Sequence, residues 1–290
     1  LPFLLLLALV CASPDERVRA QAVAESSSLL ETGRAAKLRE PSVLPVNIKL
    51  VSYNIRWRGG EDLNKLIALL RNDAEVGGAT IIGLQEVDRN RKRTGNANTA
   101  RRVAEELGMY YAWAAPPPPV KARKPQEEET GVAIFSLYPL TDVSRIVLPN
   151  EGPNGRRRVA VGATIKLKDA PAWRVYSVHG ETRMSVTKKI EAFQAVLDDL
   201  ARYEQSMPSV VLGDFNTIEG DAIRDVTSLF TKAGFTTPFT NSEETWKTFI
   251  FKLKLDWLWL RNLRALEHGI DHKIGLSDHW PLWTTVTLKQ

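Results

Sequence analysis

The chain has 290 residues, 43% of them hydrophobic and 25% charged, a globular composition that excludes a fibrous or fully disordered protein and fits one large domain or two small ones. A single cysteine, Cys11, excludes an intramolecular disulfide and a cysteine zinc site, so the fold must stand on its apolar core. The formal charge is +5; the acids Asp15, Glu16, Glu25, Glu31 and Glu40 are matched by Arg17, Arg19, Arg34, Lys37 and Arg39, so the excess sits on residues 47–290, where it suits a phosphorylated substrate or an anionic surface.

The first stretch, LPFLLLLALVCAS, is apolar, short and ends in small residues, as the hydrophobic region of a signal peptide does. Residues 1–13 are therefore expected to be an export signal, truncated at its start because no initiator Met or basic segment precedes it. At this length it does not make a transmembrane span, which needs about twenty apolar residues. Cys11 raises lipoprotein anchoring, but Val10 is larger than the small residue expected before a lipidated cysteine, so simple export is favoured. Residues 14–46 are polar and rich in Ala, Ser and Glu, and read as a tether.

From residue 47 the pattern changes. Short β-branched runs bounded by Gly, Pro, Asn or Asp recur, and each predicts a strand: VNIKLVSYNI, ATIIGLQEV, TGVAIFS, RRVAVGATIKL, WRVYSVH, SVVLGDFN, KLDWLWL and PLWTTVTL. Helical spacing appears between them. Leu63, Leu66, Ile67 and Leu70 mark one helix. NTARRVAEELG has a capping Asn98 and a terminal Gly108. Ser185 opens the longest helix, with Ile190, Phe193, Val196, Leu197 and Leu200 on one face, and a further one runs from about Asp221 to Gly234. Elements that mix without strict alternation predict sheets in the middle with helices outside, in one domain over 47–290. The aperiodic stretch AAPPPPVKARKPQEEET is a spacer or a substrate-facing flap.

Polar residues stand at the ends of several of these strands: Asn54, Glu86, His179, Asp214 with Asn216, Asp256, and the adjacent Asp278 and His279 before the last strand. One strand-end charge means little, and an isolated Asp-His pair is usually a surface turn. So many in one domain, each costly to bury unpaired, predict strand ends converging on one polar cleft.

The ordered series N-I-R, L-Q-E-V-D, V-H, G-D-F-N, L-D-W and S-D-H-W-P-L resembles the endonuclease/exonuclease/phosphatase superfamily, the DNase I-like metal-dependent phosphoesterases, from about residue 47 to the end. The resemblance implies an α/β (α+β) fold, a four-layer αββα sandwich of two mixed β-sheets flanked by helices. It also implies a divalent cation, Mg²⁺ with Mn²⁺ as a substitute, with Glu86 as principal ligand, Asn54 beside it and Asp278 close by; hard carboxylate oxygens suit that ion. By the same resemblance Asp214 positions and deprotonates the attacking water, Asn216 holds that water or a phosphate oxygen, His279 meets the phosphoryl group, Asp256 orients the His279 imidazole, and His179 contacts the phosphate or the leaving oxygen. His268 and His272 in EHGIDHK read as surface histidines. The sequence departs from the family's pattern in GETR after His179 and in Leu137, both bearing on substrate choice.

Two basic clusters stand outside this set. DRNRKR supplies Arg91, Lys92 and Arg93 as substrate-binding residues for flanking phosphates, against the bland alternative of a solvated loop; Arg156–Arg158 is weighed the same way, with less in its favour. The expected activity is hydrolysis of phosphodiester bonds in DNA or RNA by an exported enzyme. The alternatives are a phospholipid or inositol-phosphate hydrolase of the same superfamily and a catalytically silent binding module. No long apolar hairpin for membrane insertion is evident in the sequence, and no protein partner is legible.

Overall fold

The computed structural model describes residues 29–43, 45, 47–119 and 129–289, so the apolar N-terminal segment, with Cys11, lies outside the described residues. In chain order the elements are β1 (Leu30–Arg34), β2 (Ile48–Asn54), α1 (Gly60–Asn72), β3 (Ile81–Arg89), α2 (Thr99–Leu107), β4 (Tyr110–Ala114), β5 (Glu129–Ser136), β6 (Leu140–Val147), β7 (Val159–Ile165) and β8 (Trp173–His179). There follow α3 (Val186–Leu200), β9 (Ser209–Asp214), α4 (Gly220–Lys232), the short strands β10 (Trp246–Lys247) and β11 (Lys252–Leu253), then β12 (Asp256–Arg261), β13 (Leu263–Ile270) and β14 (Leu282–Leu288).

The strands form a seven-stranded sheet in the order β1-β4-β5-β3-β2-β14-β13 and a five-stranded sheet in the order β12-β9-β8-β7-β6. Each contains one parallel pair, β2 with β3 and β8 with β9, among antiparallel neighbours. The strand faces that meet are apolar: Leu50, Ile81, Val132 and Ile134 of the first sheet pack with Val161, Val175, Val210, Leu212 and Leu258 of the second. The outer face of the seven-stranded sheet is covered by α1 and α2 through Leu63, Leu66, Leu70, Val103 and Leu107. The outer face of the other is covered by α3 and α4 through Phe193, Val196, Val226 and Phe230. The result is the four-layer αββα sandwich, helix–sheet–sheet–helix.

The sheets approach closely. A Cβ on Gly83 of β3 would collide with Leu212 Cδ1 of β9, so any side chain there would force Leu212 to move. Beside it Gln85 Nε2 donates to Ser177 Oγ at 3.1 Å, and Ser177 Oγ donates back to Leu84 O at 3.3 Å, tying the sheets with polar bonds as well as apolar contact.

The polar stretch before residue 47 differs from the tether expected there. Leu30–Arg34 pairs antiparallel with β4 as an edge strand, and Leu29 and Ala35 are buried. Its anchor is Glu31, whose carboxylate accepts from Tyr111 Oη at 2.6 Å, from Asn98 Nδ2 at 2.9 Å and from Arg101 and Arg89. One carboxylate, invisible to a hydrophobic pattern, holds the strand in place. The AAPPPPVKARKPQEEET stretch is described only as far as Pro119 and again from Glu129, and its expected spacer or flap role falls mostly outside the described residues.

Candidate active site

Both parallel pairs end at the same rim, and there the strand-end polar residues meet. Asn54 closes β2, His179 closes β8, Asp214 closes β9, and Asp256 opens β12 directly opposite Asp214. Glu86 is the extra residue of a bulge in β3, where Gln85 pairs with Val132 and Val87 already pairs with Gly131. Its φ of 57° turns it out of the ladder toward the rim. Arg56, Trp57 and Asn216 share that left-handed region, with φ of 47°, 54° and 52°. Strained backbone thus gathers round the cleft.

Asp214 is the hub, and it is 2% exposed. Its Oδ1 accepts from Asn216 N at 3.0 Å. Its Oδ2 accepts from Asn54 Nδ2 at 3.0 Å and faces His179 Nε2 at 3.5 Å and His279 Nε2 at 3.7 Å. Asn54 Nδ2 also donates to Glu86 Oε1 at 3.2 Å, so one amide spans the two carboxylates. Asn54 Oδ1 accepts from Arg56 N at 3.1 Å, which fixes the amide's orientation with its Nδ2 toward the two carboxylates.

His279 Nδ1 donates to Asp256 Oδ2 at 2.8 Å. Burial opposes charging this imidazole, but Asp256, then Asp214, outweighs it, and the pKa is raised well above the ordinary histidine value. His279 therefore stands as an imidazolium with its Nε2–H toward Asp214. His179 is the reverse. Burial first, then the charges of Arg158, Arg156 and His279, hold its pKa far below the ordinary value. Arg158 Nη1 lies 3.4 Å from His179 Nδ1, which makes Nδ1 the acceptor and leaves Nε2–H pointing at Asp214. Asp214 itself is raised, first by burial and further by Asp256, against the lowering effect of the His279 charge. A buried carboxylate with raised basicity, met by two imidazole N–H groups, has the character of a general base.

Sequence reasoning missed several supporting groups. Lys189 is buried on the apolar face of α3, and its Nζ donates to the Asn216 carbonyl and to Thr182 O at 3.3 Å. Asn216 Nδ2 in turn donates to Gly180 O at 3.1 Å. A lysine in register with Ala192 and Phe193 was the available signal. Thr245 Oγ1 accepts from Asp256 N at 2.9 Å, and Trp246 bridges to His279. Asp278 takes an ion pair from Arg56 at 3.2 Å.

The basic cluster divides by its partners. Arg93 forks onto buried Asp88 at 2.7 and 2.9 Å and lies over the Trp57 ring, while Arg89 pairs with Glu31 and Glu129. Arg93 thus neutralises buried Asp88 while also lining the cavity beside Glu86. Arg91 lines the cavity beside Glu86, and Lys92 is exposed in a short 3₁₀ turn. His268 lies on β13, edge-on to Phe239, and His272 Nε2 donates to Glu244 O at 3.0 Å; both are exposed and outside the cleft.

Among the described residues Asp214, Asp256 and His279 offer ligand atoms all within 4.8 Å of one another, a cluster that can hold a metal ion. Asp256 Oδ1 is buried without a hydrogen-bond partner, which fits a further occupant.

The family model for the endonuclease/exonuclease/phosphatase family matches residues 51–279. The chain belongs to that family. Solved structures of the same fold include an endonuclease/exonuclease/phosphatase from Beutenbergia cavernae DSM 12333, at 17% identity and TM-score 0.68 over 84% of this chain and 72% of that one. The human Nocturnin catalytic domain with bound sulfate matches at 17% identity and TM-score 0.63, over 90% and 97% of the two chains. ANGEL2, a 2',3'-cyclic phosphatase, matches at 14% and TM-score 0.62, over 83% and 95%. No curated protein matches the sequence. The family and fold are those the strand-end motifs pointed to, and the site is that of a family phosphoesterase with a candidate metal cluster.

The Asp256–His279 bond gives a direct expectation. Asp256→Asn removes the carboxylate that charges the ring, so the His279 imidazole, followed by proton NMR, should titrate at lower pH than in the native protein, and turnover should fall about 10²–10⁴-fold. A titration that does not move would mean that Asp256 does not govern the imidazole.

Proposed function

We propose that the protein is a Mg²⁺-dependent phosphodiesterase, acting outside the cytoplasm on nucleic acid. The observation that carries the reading is the unbroken polar chain Asp256–His279–Asp214–Asn54–Glu86, which joins a charged imidazole, a basic carboxylate and an oxygen-donor wall at one rim. Glu86 and Asp278 are hard oxygen donors, which suit Mg²⁺ better than a cluster containing an imidazole nitrogen does. When bound there, the ion supplies a Lewis acid that polarises a phosphoryl oxygen. The chain's own groups do the rest. Asp214 takes the proton of the attacking water that Asn216 helps to orient. His279 places positive charge where the phosphoryl oxygens become more negative, and His179 donates its Nε2–H at the same centre. The net charge of +5 supports a polyanionic substrate, and the apolar N-terminal segment supports export.

Plasmid DNA and bis(p-nitrophenyl) phosphate should both be hydrolysed with Mg²⁺, not with EDTA, and His279→Ala, checked by circular dichroism to be folded at the assay temperature, should reduce the rate about 10²–10³-fold. A folded wild-type protein that cleaves neither would end the nuclease reading.

A second reading has its own observation. The turn between β10 and β11 exposes Phe249, Ile250 and Phe251 at 103%, 77% and 62%, a run of three large apolar side chains that water disfavours. Lys247 N donates to Asp278 O at 2.9 Å, so this hairpin is joined to the site. It supports action on phospholipid headgroups at a bilayer, although the hairpin is short, with two residues in each strand. Phe249→Asp with Phe251→Asp should then abolish co-sedimentation with phosphatidylcholine vesicles while bis(p-nitrophenyl) phosphate turnover persists. A wild type that stays in the supernatant would remove this reading.

A further inference from the structure

A cavity of about 420 Å³ opens beside Glu86, walled by Trp57, Pro116–Pro119, Glu129, Thr130 and the arginines Arg91, Arg93, Arg156 and Arg158. The three consecutive arginines that open the approach to β7 divide sharply. Arg157 pairs with Glu151 at 3.5 Å, and Arg158 pairs with Glu181 at 2.9 Å while reaching His179. Arg156 faces the cavity and makes no ion pair or side-chain hydrogen bond among the described residues. Desolvation and then the Arg158 charge lower its pKa, with Glu181 and Glu86 opposing. Arg156 is exposed to solvent, and with the Arg158 charge beside it its guanidinium is a ready partner for an anion. Arg93 and Arg158 already spend their charge on Asp88 and Glu181, and Glu129 spends its own on Arg89. Arg156 therefore remains as cation surplus at the mouth of a chamber large enough for a nucleotide-sized group, with an aromatic and a proline wall for its less polar part.

We propose that Arg156 and the cavity it faces form a subsite for a second phosphate group of the substrate, distinct from the phosphate under attack. The inference rests on the phosphodiesterase reading for what "second" means, because Glu86 at one edge of the cavity belongs to the reaction centre. The shared chemistry is a phosphate dianion on an organic group. Its source is either the 5′-terminal phosphate of a nucleic-acid strand or the additional phosphate of an inositol headgroup.

Calorimetric binding in EDTA, where no turnover occurs, separates these. The probes are dithymidylate with and without a 5′-phosphate, and inositol 1,4-bisphosphate against inositol 1-phosphate. In one pair the member with the extra phosphate should bind at least about tenfold tighter, the size expected of one charge-assisted contact, and that pair names the source. Arg156→Gln should bring the ratio within about twofold at an unchanged thermal midpoint, and His279→Ala should leave it intact. Absence of a preference in both pairs, or a preference that survives in folded Arg156→Gln, overturns the subsite. A preference without Mg²⁺-dependent hydrolysis of any of the diesters would uphold the subsite and reject the hydrolase reading.

Discussion

The structure depends on one buried carboxylate. Asp214 sits where the two sheets meet, and its oxygens take hydrogen bonds from the first sheet through Asn54 and from its own loop through Asn216 N. Two imidazoles face it, His179 from β8 and His279 from the C-terminal turn. A carboxylate this dry is costly to bury, by several kcal/mol if left alone. The surrounding donors offset that cost only if both sheets end at the same rim. Sheet packing, down to the close approach of Gly83 and Leu212, is thus a condition for the chemistry as well as for stability.

The two histidines illustrate how position sets role. They face the same oxygen, are equally buried and differ in what stands behind them. Asp256 behind His279 charges it, whereas Arg158 behind His179 keeps it neutral. One ring is therefore a fixed positive charge and the other a neutral donor. The same logic separates the arginines: Arg89, Arg93 and Arg158 each have an acid at hand and hold the structure together, and Arg156 has none among the described residues.

Much of this was legible in the sequence, for physical reasons. Central strands are buried on both faces, so runs such as SVVLGD and YSVH read as apolar, and the polar residue that ends each one stands out. The helices were marked by their stripes and by Asn98, whose side chain does cap Arg101 N. Strands β1, β6 and β13 were not legible. Each lies at a sheet edge, half-exposed, with polar or charged residues on its open side, so no alternating or apolar pattern survives. Glu31, which secures β1, and Lys189, which secures Asn216, act through tertiary partners that spacing does not reveal. That Arg93 of the DRNRKR cluster pairs with Asp88 was not legible either, because composition does not show that Asp88 is buried.

The central claim is a division of labour, with the metal at the Glu86 wall and proton transfer at Asp214, His279 and Asp256. Calorimetric titration of Mn²⁺ into the wild type, Glu86→Gln and Asp256→Asn tests it most directly. The account predicts that the Glu86 variant loses the ion while the Asp256 variant keeps it. Binding that survives Glu86→Gln and disappears with Asp256→Asn would place the ion in the histidine-containing cluster and contradict the account.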